Sequence, residues 1–171
     1  MNYTREDMHD LFVLVVNTVE PEHPYKDNPY PITKDQVEFG WCQSTSWTWA
    51  RCGPRNGYNK VAGFSCDIKY FNKQSLERIL TVMGHEVTHI TEGSHTDGSV
   101  HNQAFWREMV FNCTEIMDNV EVFEDWFGED LVVSEIAHEV IDDPNASMVD
   151  RRTETVEERK QENRELVASY L

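Results

Sequence analysis

The chain has 171 residues, 31 of them Asp or Glu against 15 Lys or Arg, for a formal charge of −16. That length sets one domain as the default, with room for an appendage, and 39% hydrophobic residues with five Trp and eight Phe suffice for a packed core. The acidic balance argues against direct nucleic-acid binding, which leaves a basic footprint, and fits a well-solvated acidic surface.

The opening stretch YTREDMHDLFVLVVNTVE places Met8, Leu11, Phe12, Val15 and Val16 at helical spacing, with Thr4 as N-cap. Its apolar run LFVLVV is too short to span a membrane and is flanked by acids rather than by the basic segment of a secretory signal. None of Cys42, Cys52, Cys66 and Cys113 stands in CxxC spacing, so no zinc ribbon is expected. Reduced, mostly buried thiols and a cytoplasmic, intracellular location follow as expectations.

PEHPYKDNPYPITKDQ reads as a proline-rich loop. VEFGWCQ alternates Val37, Phe39 and Trp41 as a strand does, and SWTWARC continues in β-forming residues. GPRNGYNK reads as a turn carrying Arg51 and Arg55 nearby, and VAGFSCDIKYF as another strand. A small antiparallel sheet is the expected product. Trp41, Trp47 and Trp49 are expected to pack a core or hairpin face rather than to line a binding face.

A long helix is expected next, capped by Asn72 and ending near Gly93, with Leu76, Ile79, Leu80, Met83, Val87 and Ile90 as its apolar stripe. A second helix, HNQAFWREMVFNCTEIMD, turns Phe105, Met109, Val110, Cys113, Ile116 and Met117 inward. VEVFEDWFGEDLVVSEIAHEVI mixes acids with an apolar helical pattern, broken at Pro144. The last stretch, VDRRTETVEERKQENRELVASYL, reads as a charged, solvated helix or a frayed tail. The division expected is residues 1–120 as one domain and 121–171 as a charged helical extension.

The chemistry concentrates in MGHEVTHITEGSHTDGSVHNQAFW, which holds four of the seven histidines. His85 and His89 are four apart, on one helical face, where two neutral imidazoles can hold one zinc ion. Glu86 lies one step around the helix. Its carboxylate can take a proton from a zinc-activated water as that water attacks a carbonyl, and later hand it to the leaving amine. This is the HExxH arrangement of a zinc peptidase, expected by chance only about 0.03 times in a chain of this composition. A catalytic zinc needs a third protein ligand and an open position. His95, His101 and an acid on the second helix, Glu108 or Glu115, are the candidates.

FSCDIKYFNKQSLERILTVMGHEVTH resembles the SprT/Spartan-type metallopeptidases, with a strand, a short connection and a helix carrying HExxH. HNQAFWREM resembles their downstream element, where the third zinc histidine is followed four residues later by an aromatic, and the same pattern occurs in minigluzincins. The resemblance runs over residues 37–117. It implies an α+β zincin-like fold with a small antiparallel sheet, an HExxH active-site helix and a ligand helix, here followed by the helical C-terminal extension. It also implies His85, His89 and His101 as zinc ligands and Glu86 as general base, with a protein or peptide as substrate.

HEVTHITEGSH also resembles the weak-suppressor-type proteases and, more loosely, the metzincins, in which His95 would be the third ligand and Met148 a methionine turn. Metzincins place their glycine one residue before the position of Gly93. Phe105 stands four residues after His101, whereas Ser99 stands four after His95, which favours His101. The family's action on DNA-crosslinked proteins goes with basic surfaces and a zinc ribbon that this chain lacks. Two other readings stand beside the peptidase: a non-catalytic zinc-binding interaction module, and a protease of DNA-associated proteins. His9, His23 and His138 show no ligand spacing and are expected at the surface. Tyr58, Tyr70 and Tyr170 are available as oxyanion donors, with nothing to choose among them.

Overall fold

The structure is a computed structural model that describes residues 2–19, 31–41, 50–57, 60–91, 101, 103–142 and 156–171. Helix α1 spans Arg5–Val19 and begins as expected at Thr4. The Asp7 amide donates to Thr4 Oγ1 (3.2 Å), and Asp7 Oδ2 accepts from the Thr4 amide (2.6 Å), a reciprocal cap. Its five expected apolar positions are fully buried, each contributing roughly 1.5–3 kcal/mol by leaving water.

Three strands follow: β1 (Val37–Trp41), β2 (Ala50–Gly57) and β3 (Lys60–Cys66). Their order is β1-β3-β2. The β2–β3 pair is antiparallel, but β1 runs parallel to β3, so the sheet is not the antiparallel one expected. The reason is topological. β2 returns antiparallel to β1 but sits on the far side of β3, so the central strand ends up parallel to the first. Arg51 and Arg55 lie in β2 rather than in a turn, and the register shifts between Pro54 and Gly57. Val37 and Phe39 pair with Ala62 and Phe64, which puts alternate residues of both strands on one face. Phe12 of α1 stacks on Phe64 at 4.3 Å, laying α1 across that face.

The expected strand VAGFSCDIKYF ends at Cys66, and its last residues form a short helix instead. Asp67 caps α2 (Ile68–Phe71) by accepting from the Lys69 amide. The chain then turns, and Ser75 caps α3 (Leu76–Thr91), its Oγ accepting from the Arg78 amide at 3.1 Å. Asn72, the expected cap, instead trades hydrogen bonds with the Tyr3 backbone. Gly93, the expected stop, lies outside the described residues.

Helices α4 (Gln103–Asp118), α5 (Val120–Phe127), α6 (Val133–Ile141) and α7 (Val156–Leu166) complete the chain. The six expected inward residues of α4 are buried. Gly128 closes α5 at φ +69°, the left-handed conformation that glycine adopts without a Cβ penalty. Phe123, Phe127, Ile136, Val140 and Val167 join the same hydrophobic cluster as α1, β3, α3 and α4. The result is an α+β fold, mostly helical, with α3 at its centre: thirteen of its sixteen residues are buried. Among the described residues no helix is long and apolar enough to cross a membrane.

Candidate metal centre

Two segments of sequence converge on one point. His85 and His89 sit one turn apart on α3, their rings 5.2 Å apart. His101 lies just before α4, its ring 5.0 Å from His85 and 4.9 Å from His89. One ring nitrogen from each lies within 4.8 Å of those of the other two. His85 Nε2 and His101 Nε2 are 3.1 Å apart. Two nitrogens sharing a tetrahedral zinc at about 2.0–2.1 Å stand about 3.3 Å apart, so the spacing fits a metal ion. Three imidazoles form a donor set that suits zinc, copper, iron or nickel. His85 is buried, while His89 and His101 are half-buried, so the cluster opens toward solvent on their side.

Two features hold these rings. Phe105, the first inward residue of α4, lies 5.0 Å from His85, 4.6 Å from His89 and 4.7 Å from His101. It forms an apolar floor under all three ligands. Trp106, fully buried, stands 5.9 Å from both His85 and His101. Helix α3 is fixed against α4 by close approach and by a buried polar network. A Cβ added at Gly84 would meet Cys113 Sγ at 2.9 Å and Ile116 Cδ1 at 3.3 Å, so the residue before His85 must be small. On the same side, Asn112 Nδ2 donates to Thr88 Oγ1 (2.9 Å) and Thr91 Oγ1 (3.2 Å), and Thr88 Oγ1 donates to the Gly84 carbonyl (2.8 Å). These bonds set the rotation of α3, and with it where His85 and His89 point. At the other end of α3, Arg78 pairs with Glu139 of α6 at 2.8 Å.

Glu86 is 6% exposed and does not belong to the ligand cluster. Neither Glu108 nor Glu115 joins it, so among the described residues the third ligand position falls to His101. His95 and Met148 lie outside the described residues, as do His23, Trp47, Trp49 and Tyr58. His138 is exposed, as expected. His9 is not at the surface: it is half-buried and stacks on Phe39 at 5.0 Å. Tyr170 donates to Asp118 at 2.8 Å, and Tyr70 packs edge-on against Phe71.

Sequence reading missed Asn112 and Trp106 as supports. The signal for Asn112 was present, a polar residue on the apolar stripe of α4. No family model matches this chain, and neither a curated protein nor a solved structure proves similar to it.

Proposed function

We propose that this chain is a zinc-dependent metalloendopeptidase of the SprT type, hydrolysing peptide bonds of protein substrates. The observation that carries the proposal is the meeting of His85, His89 and His101 within 4.8 Å, beside a buried Glu86 that stays outside the ligand cluster. A purely structural zinc site has no use for that carboxylate. Zinc bound by the three imidazoles would supply Lewis acidity, toward a water and toward the scissile carbonyl.

The chain's own residues do the rest. Glu86 accepts the proton of the attacking water at a carboxylate oxygen and returns it to the leaving amine. Phe105 and Trp106 surround the ligands with apolar surface, which limits solvent access and fixes the ring orientations. A substrate segment would add as a further strand along an outer strand of the sheet, β1 or β2, held by backbone hydrogen bonds. The charge of −16 favours a protein substrate reached without direct contact to nucleic acid.

Glu86→Gln is the test. It keeps the shape of the side chain, so the variant should hold zinc as the native protein does. Its cleavage of an unfolded protein substrate should fall by about 100-fold or more. Full activity in a zinc-loaded Glu86→Gln protein removes the proposed base. A zinc-loaded native protein without any turnover favours the non-catalytic zinc module instead.

A further inference from the structure

The metal centre has a backing layer that comes from the far end of the chain. Helix α7 has almost no apolar stripe, yet Arg159 and Asn163, four apart, are fully buried, as is Val167 just past its end. Arg159 lies with its guanidinium carbon 5.7 Å from the centre of the Trp106 ring. It pairs with Glu162 at 3.4 Å, and Glu162 also accepts from Arg107 Nε at 2.9 Å. Helix α7 thus grips two successive residues of α4, Trp106 through Arg159 and Arg107 through Glu162. Asn163 anchors the helix on its other side by donating to the Val140 carbonyl of α6.

Trp106 is the residue that stands between this grip and the ligands. Its ring is 5.9 Å from His85 and from His101. His101 precedes α4, and its ring packs against Phe105 and Trp106. A fully buried arginine is a costly way to fill space; an apolar residue of the same length would pack there with less desolvation. What a guanidinium adds is a flat, charged face that locks an indole in one orientation.

We propose that Arg159 is a positioning residue for the metal centre: with its charge over the Trp106 ring, it holds His101 and His85 in binding geometry, so that docking of α7 sets metal affinity. The inference rests on the metal site proposed above, though not on its being a peptidase.

The experiment uses full-length protein, with zinc affinity read by competition against a chromophoric chelator and ligand geometry by the visible spectrum of the cobalt-substituted protein. The variants are Arg159→Met, which keeps length without charge or planarity, and Arg159→Lys, which keeps charge without planarity. Phe123→Leu, a core change on α5 away from the ligands, controls for loss of stability alone. Arg159→Met should bind zinc about 10-fold more weakly and shift the cobalt bands, with Arg159→Lys between it and native and Phe123→Leu unchanged. Native affinity and spectrum in Arg159→Met overturn the proposal, as does an equal loss in Phe123→Leu. Should Arg159→Met fail to fold, native behaviour in Arg159→Lys overturns it equally. A native protein that binds no zinc overturns both this inference and the metal site beneath it, whereas binding without peptidase activity leaves the inference standing.

Discussion

His101 stands sixteen residues from His85 in the chain and 3.1 Å from it in space. The sequence marked it through one neighbour: the aromatic that follows it by four residues lies beneath all three ligand rings. His9 shows the opposite case. Lacking any ligand spacing, it reads as a surface residue, but α1 crosses the sheet and puts its ring on Phe39. Burial, with Lys34 second, lowers its pKa below the ordinary histidine value, against weaker opposing effects from a Val37 hydrogen bond and from Asp10 and Glu6. The folded state therefore favours neutral His9. Its contribution to stability is complete above the unfolded value and is lost as pH falls through that value toward the lower folded one. Between pH 8 and pH 5 the melting temperature of the native protein should drop more steeply than that of His9→Phe. The two proteins differ only at this position, so parallel curves mean that His9 is not buried as described.

At the scale of elements, helical periodicity located α1, α3 and α4 well because each buries an apolar stripe. It set the start of α3 at Asn72 rather than Ser75, since Asn and Ser are both good caps, and alternation read Ile68–Phe71 as strand. The capping bond of Ser75 and the tie from Asn72 to Tyr3 decide it, and the second is a contact across 69 residues. The same holds for the sheet: alternation identifies strands but not which neighbour each one takes. Close approach of α3 and α4 at Gly84 gives a sharp test. In an ordinary helix interior Gly→Ala gains about 1 kcal/mol. Here the added Cβ meets Cys113 Sγ at 2.9 Å in a buried contact, and overpacking costs about 1–3 kcal/mol. Gly84→Ala should therefore lower the midpoint of denaturant unfolding. A raised midpoint means that the two helices have room to spare.

At the scale of the molecule, hydrophobic residues on either side of position 120 share one cluster, from Met8 to Val167. Helix α7 was the least legible element. Its buried residues are Arg159 and Asn163, and a charged or amide residue at a buried position looks the same in sequence as one in water. Only its partners, Trp106, Glu162 and the Val140 carbonyl, reveal the face. The candidate metal centre was the more legible feature because the chemistry of a metal admits few residue types, and three histidines stand here around one point. Its most direct test is the zinc content of the purified chain, native and His101→Ala side by side, with His95→Ala as comparison. One zinc per native chain is expected, retained in His95→Ala and lost from His101→Ala. A native protein without zinc after reconstitution, or a His101→Ala protein that keeps it, contradicts the three-histidine centre.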